Sequence, residues 1–229
     1  MDRDTVKFNF FNLENIIFQK LKIYHPECRN ISMKYKPNIH SGYVSEMIFN
    51  TTWMTTPYGV NSYNNKIKKK YYIDLSFDGK DKSIYICQLY NIIKKIDNYI
   101  PYLIDNNSID LLDRDELRDY TYVPTVKIIE DSPAIKLKIF PKTVKIFNVD
   151  TNKIDNICLD HIGEQYEVRA KIHCHSLWIM NKKYGLTWIA KELHIRKKNK
   201  KSHIHRMPLI RREDIRQLFY DERIYSKSI

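Results

Sequence analysis

The sequence predicts a mainly β chain with a helix inserted midway and a second helix near its end. Three patterns predict it. Apolar and polar residues alternate with period two over Ile67–Phe77, Ile135–Ile139 and Tyr166–Met180, the signature of half-buried strands. Between the first two lies Lys82–Ile100, where Ile86, Leu89, Ile93 and Ile96 recur at helical spacing. Turn residues bound these runs: Asp78-Gly79, Pro141-Lys142-Thr143 and Asn181-Lys182-Lys183-Tyr184-Gly185.

Taken in order, residues 1–30 read as an N-terminal extension. Phe10, Phe11, Leu13, Ile16, Ile17 and Leu21 fit a helical stripe, while Ile16-Ile17-Phe18 fits a short strand equally well. The β pattern sets in at Ile31-Ser32-Met33-Lys34-Tyr35 and continues through Val44–Phe49. Thr51–Gly59 is a loop. Ile67–Phe77 is the clearest strand, with Ile67, Tyr71, Ile73, Leu75 and Phe77 on a core face and Lys68, Lys70, Tyr72, Asp74 and Ser76 on an open one. Pro101 is expected to close the helix. Asp110–Tyr120 suits a short acidic helix. Thr125–Ile129, Ile135–Ile139 and Val144–Val149 follow as strands, the last two pairing across their proline turn. In Tyr166–Met180, Glu167, Arg169, Lys171, His173 and His175 are expected outside. In Leu186–Ile195, Ile189, Leu193 and Ile195 share a face and Trp188 opposes them. Arg196–Lys201 is a charge run, and Arg211–Tyr225 reads as a terminal helix. Residues 31–200 thus form the main domain and residues 201–229 a helical tail. Strand pairs interrupted by one helix suit a five-stranded Greek-key barrel of the OB type, although periodicity alone does not separate it from other α+β layouts.

Composition limits the partners. The 229 residues carry 39 Lys plus Arg against 27 Asp plus Glu, a formal charge of +12. Such a chain favours an anionic partner. Aromatic residues reach 13%, including 17 Tyr, and cations with aromatic rings are what single-stranded nucleic acid selects. No apolar run approaches the ~20 residues of a membrane span. Met1-Asp2-Arg3-Asp4 does not open a secretory leader. Cys28, Cys87, Cys158 and Cys174 are too scattered for a zinc ribbon or disulfide framework. The expectation is a reduced, intracellular protein without membrane attachment or cofactor.

The candidate binding residues follow from strand parity. Lys68, Lys70 and Tyr72 share one open face, and Arg169, Lys171 and His173 share another. If both faces look the same way, they make one basic track. Stacking candidates are Trp53, Tyr58, Tyr63, Tyr184 and Trp188, with Trp178 assigned to the core. Lys183 flanks the late turn, and Lys197 and Lys198 belong to the charge run. Two chemistries compete. His173-Cys174-His175, His203-Ile204-His205 and Cys158 with His161 offer metal-ligand atoms, and Asp110, Asp113, Asp115, Glu116 and Asp119 form an acidic patch that a magnesium nuclease would use. Against both, strand geometry turns Cys174 away from His173 and His175, and acids at a helix start serve its dipole. No nucleophile elbow, P-loop or HExxH motif is present, so no catalytic residue is assigned.

Three segments carry a family resemblance. TTWMTTPYGV (51–60), KKKYYIDLSFDG (68–79) with the helical IYICQLYNIIKKIDNYI after it, and LWIMNKKYGLTWIAKELHI (177–195) together resemble the single-stranded DNA-binding proteins of nucleocytoplasmic large DNA viruses, related to the T-odd phage type of OB-fold protein. The resemblance spans roughly residues 31–196. It implies an OB barrel that coats single-stranded DNA in viral replication, recombination or repair, in the host cytoplasm or nucleus, with viral replication proteins as further partners and self-association left open. By position it points to Lys68, Lys70, Tyr72, Trp53, Tyr58 and Trp188. The phage type ends in an acidic tail; here the last residues are Glu222-Arg223-Ile224-Tyr225-Ser226-Lys227-Ser228-Ile229, which puts tail-mediated recruitment in doubt. An RNA-binding OB module, a metal-dependent nuclease and a structural virion protein are the alternatives.

Overall fold

A computed structural model describes residues 5–25, 27–37, 42–65, 68–78, 84–112, 114–151 and 158–198. One compact unit runs from Met1 to Lys197 and a second begins at Lys198; beyond Lys198 the second lies outside the described residues, as do Asp113, His203, His205 and the expected terminal helix. The first thirty residues are therefore not set apart from the main unit. Among the described residues, no helix is long and apolar enough to cross a membrane.

The chain is mainly β. Its strands are β1 (Ile16–His25), β2 (Cys28–Tyr35), β3 (Ile48–Asn50), β4 (Met54–Thr55), β5 (Val60–Asn65) and β6 (Lys68–Ser76). Helices α1 (Ile84–Asp105) and α2 (Arg114–Leu117) follow, then β7 (Thr121–Val123), β8 (Val126–Ile129), β9 (Ser132–Ile139), β10 (Lys145–Asn148), β11 (Tyr166–Met180) and β12 (Lys183–Lys197). All belong to one 12-stranded sheet, ordered β1-β2-β11-β4-β6-β9-β12-β10 along its main path. Because β11 also pairs with β12, the pairings pass from β11 through β4, β6, β9 and β12 back to β11.

The N-terminal segment is strand rather than helix from Ile16, because β1 pairs antiparallel with β2. Ahead of it, Phe8 stacks on Phe49 and Phe11 on Tyr35, with ring centroids 6.2 and 5.4 Å apart. Val6 N–H donates to the Ile48 carbonyl at 2.8 Å. These contacts strap residues 6–11 to the core.

Helix α1 buries Ile86, Leu89, Ile93 and Ile96, the stripe its spacing predicts, and Ile100 as well. Pro101 does not end it; the helix continues to Asp105. Proline removes one backbone donor, but Leu103 and Ile104 remain buried in the core, and apolar packing of this kind offsets the lost bond. The acidic helix shrinks to Arg114–Leu117, and Arg29 claims Glu116 in an ion pair.

Two hairpins turn on residues with positive φ. Glu130 and Asp131 (φ 48 and 63) join β8 to β9, and Asn181 and Lys182 (φ 52 and 54) join β11 to β12. Two central residues at positive φ match the twist of the flanking strands. Gly185 therefore lies inside β12 rather than in the turn. A Cβ there would stand 2.9 Å from the Trp178 ring and 2.8 Å from the Val123 carbonyl. Nor does β10 pair with β9 as expected: it runs parallel to β12, with Lys145 opposite Glu192.

The β11–β12 ladder slips twice. Lys171 faces Glu192 but Ile172 faces Ala190, leaving Lys191 extra; Cys174 faces Trp188 but Ser176 faces Thr187, leaving His175 extra. Each bulge flips the side of every residue beyond it. On β11 the buried set changes from Val168, Ala170, Ile172 and Cys174 to Leu177 and Ile179; on β12 it changes from Trp188 and Ala190 to Leu193 and Ile195.

Candidate nucleic-acid interface

The β5–β6–β9 surface gathers cations and rings. Directly opposed residues in a ladder point to the same side. Tyr63 opposes Lys70 and Asn61 opposes Tyr72 across β5–β6; Lys138 opposes Tyr72 and Lys136 opposes Asp74 across β6–β9. Period two then places Tyr63, Lys70, Tyr72, Lys136 and Lys138 on one face. Lys70, Lys136, Lys138 and Tyr63 are exposed there, and Tyr72 is half-buried. Tyr63 and Tyr72 tilt against each other at 6.4 Å. The Lys136 ammonium sits 4.1 Å above the Tyr72 ring and that of Lys70 5.6 Å from the Tyr63 ring. Lys68 takes its place in β6, but its side chain lies outside the described part.

The charges on this face are only partly compensated. Lys138 is held below the ordinary lysine range, first by desolvation among its neighbours and then by repulsion from Lys70; its ammonium reaches the Thr187 hydroxyl at 3.4 Å. The nearby carboxylate, Asp74, is buried, and burial pushes its carboxyl up against the opposing pull of Lys136 and Lys127. Asp74 and Ser76 were expected outside, yet both are buried, so the open part of β6 ends at Tyr72. Lys69 is engaged elsewhere, in an ion pair with Asp160 at 2.8 Å.

Other predicted residues lie in different places. Tyr58 is exposed, and its hydroxyl donates to Glu130 at 2.8 Å. Arg169 and Lys171 do not join the β6 cations, because β4 lies between β11 and β6. They line a cleft of about 850 Å³ together with Trp53. Trp53 sits where the strand breaks between β3 and β4; there the Thr51 hydroxyl accepts the Ala170 N–H at 2.8 Å in place of a ladder bond. Lys171 lies 3.4 Å from Glu192. Burial pushes the Glu192 carboxyl up, but the His194 hydrogen bond and Lys171 hold it below its usual range. Lys183 and Lys197 are exposed, and Lys198 opens the second unit.

Three expected contacts are interior. Trp188 is 2% exposed, Tyr184 5% and His173 1%. The bulge at Lys191 turns Trp188 inward, where its Nε1 donates to Thr125 Oγ1 at 3.2 Å. Tyr184 packs against Tyr122 at 5.3 Å. His173 lies between its cross-strand partners Ile48 and Ile189, both buried; burial pushes its ring down to about 3. Trp178, assigned to the core, is instead half-buried beyond the bulge at His175 and donates to the Leu186 carbonyl at 3.2 Å. Among the described residues, no group of three or more His, Cys, Asp or Glu could hold a metal ion.

Lys136 and Lys138 were missed as binding candidates. Their alternation with Ile135, Leu137 and Ile139 put them on an open side, but only the β6–β9 pairing brings that side to Lys70 and Tyr72. No family model matches the chain, and the search of curated proteins finds no match.

Proposed function

We propose that the chain is an OB-type barrel that binds single-stranded DNA without sequence preference on its β5–β6–β9 face, and that it acts by coating the strand rather than by catalysis. Numbering β4, β6, β9, β11 and β12 first to fifth, the order of pairings is 1-2-3-5-4 and back to 1, with the third and fifth strands parallel and the other neighbours antiparallel. This order supports reading the pairings as an OB-type Greek key, and OB barrels use the face of their second and third strands for oligonucleotides. Here those strands are β6 and β9.

The observation that carries the reading is the crowding of Lys70, Lys136 and Lys138 around Tyr63 and Tyr72, with Lys138 depressed in part by Lys70. A phosphate between the lysines relieves their repulsion. The rings offer π-surfaces that any base can cover, and a duplex hides those base faces inside its stack. Preference for DNA, and a role in viral replication, recombination or repair alongside viral replication proteins, rest on the resemblance of residues 51–60, 68–79 and 177–195.

Anisotropy titrations of oligo-dT, the matching RNA and a duplex across a salt series test this. The single strands bind more tightly than the duplex, with a log–log salt slope of about −0.7 per phosphate contact. Lys70→Ala makes the slope shallower by about 0.7; Tyr72→Ala weakens binding by ~1–3 kcal/mol and leaves the slope alone. Equal affinity for duplex and single strand would reject the proposal. Tighter RNA binding would move it to the RNA-binding alternative.

A further inference from the structure

The cleft beside Trp53 is built by parts of the chain that are far apart in sequence. Its lining draws on residues 5–10, on the first turns of α1, and on Arg169, Lys171, Glu192 and His194. The N-terminal segment is held in place because Phe8 and Phe11 are packed against Phe49. Phe10, between them in sequence, is left 75% exposed at the cleft, and Tyr85, also in its lining, is 58% exposed. An exposed ring such as Phe10, on a segment otherwise fixed by core contacts, marks a binding surface more readily than a packing one.

Trp53 is positioned from outside the cleft. Arg196, which is not part of the lining, lies 4.2 Å from the Trp53 ring, and Glu167 Oε2 accepts from both Nε and a terminal nitrogen of Arg196 at 2.8 Å. Arg169, which does line the cleft, lies 5.5 Å from the same ring. Lys7 adds a second exposed cation at the lining. Among the described residues the lining carboxylate is Glu192, which Lys171 and His194 already engage. A cleft of about 850 Å³ falls in the range of small-ligand sites, ~300–1,000 Å³.

We infer that this cleft is a second site, separate from the β5–β6–β9 face, which holds one nucleotide: its base against the rings of Trp53 and Phe10 and its phosphate toward Arg169 and Lys7. Aromatic rings lining a cleft together with exposed cations fit a nucleotide better than an uncharged apolar ligand, which leaves the cations unused, or an acidic peptide, which leaves the rings unused. The nucleotide comes from a bound strand or from the free pool. Only the first source rests on the proposed strand-binding function.

Tryptophan emission separates the cases, because Trp188 is buried and Trp178 lies at the β11–β12 hairpin. The full chain is titrated with thymidine monophosphate and, separately, with a dT15 oligonucleotide. Emission is quenched by one or both, and Trp53→Phe abolishes the quench. Quenching by the monophosphate assigns the free nucleotide; quenching by the oligonucleotide alone assigns the strand. The Phe10→Ala/Arg169→Ala double variant weakens the quenching ligand by about tenfold, the order expected when one stacked base is lost. Both side chains are exposed, and an unchanged thermal melt checks the fold. The Lys70→Ala/Tyr72→Ala variant keeps the monophosphate quench while dT15 anisotropy falls, so the two sites fail independently. No quench with either ligand, or a quench that survives Trp53→Phe, overturns the inference.

Discussion

Trp188→Ala should unfold this protein more readily rather than strip it of a nucleic-acid contact. The indole is 2% exposed, lies 6.0 Å from the Phe49 ring and donates to Thr125 Oγ1 at 3.2 Å. Thr125 is itself tied to α1, since its N–H donates to Asp97 Oδ2 at 3.0 Å, and Tyr122 donates to the other oxygen at 2.6 Å. Truncating a buried tryptophan costs about 3–5 kcal/mol, a large share of a typical domain's ~5–15 kcal/mol. Trp188→Phe keeps most of the ring volume and removes the hydrogen bond, for about 1 kcal/mol. Urea unfolding followed by far-ultraviolet circular dichroism measures both. The expected order of stability is wild type, then Trp188→Phe, then Trp188→Ala, with oligo-dT affinity per folded molecule unchanged. If Trp188→Ala melts within ~0.5 kcal/mol of wild type while its affinity drops, the side chain faces the ligand and the bulge at Lys191 has been misread.

Two further outcomes follow from buried groups and close approaches. His173 stays neutral down to about pH 3, whereas an unfolded histidine takes its proton near pH 6.5. The unfolded chain binds more protons between those values, so stability falls as pH drops from 6.5 toward 3, by ~2 kcal/mol at pH 5; in urea melts at pH 7 and 5 the wild type shows this fall, and His173→Leu removes it. Gly59 has φ +68°, and a Cβ there would lie 2.2 Å from the Ile162 carbonyl oxygen, which already accepts the Val60 N–H at 2.6 Å. Gly59→Ala lowers stability by more than ~1 kcal/mol, while Gly42→Ala, with nothing within 4 Å of the added carbon, leaves the melt unchanged.

Much of the candidate face was legible locally. The alternation around Lys70 and Tyr72 follows from the two-residue pleat, and so does that of Lys136 and Lys138; neither needs knowledge of the rest of the chain. The stripe on α1 follows in the same way from the 3.6-residue turn. The overreach came where alternation was carried through a long strand unbroken. Trp188 was given solvent, and Trp178 the core, by counting in twos along runs that contain bulges at Lys191 and His175; His173 precedes its bulge and keeps the parity of Arg169 and Lys171, but its cross-strand neighbours Ile48 and Ile189 bury it. A bulge is set by what the partner strand does, so a single strand's pattern carries no sign of it.

By itself, then, the order of residues determined the β character, the helix between β6 and β9, the excess of positive charge, and which residues of each short strand are neighbours on one side. These depend on interactions within a few residues. Only the tertiary structure decided that β9 lies beside β6 with its lysines next to Tyr72, that β4 separates the β11 cations from them, and that residues 5–10 line one cleft with Trp53. Those arrangements are settled by which apolar faces bury one another across long stretches of chain, and no local pattern encodes that choice.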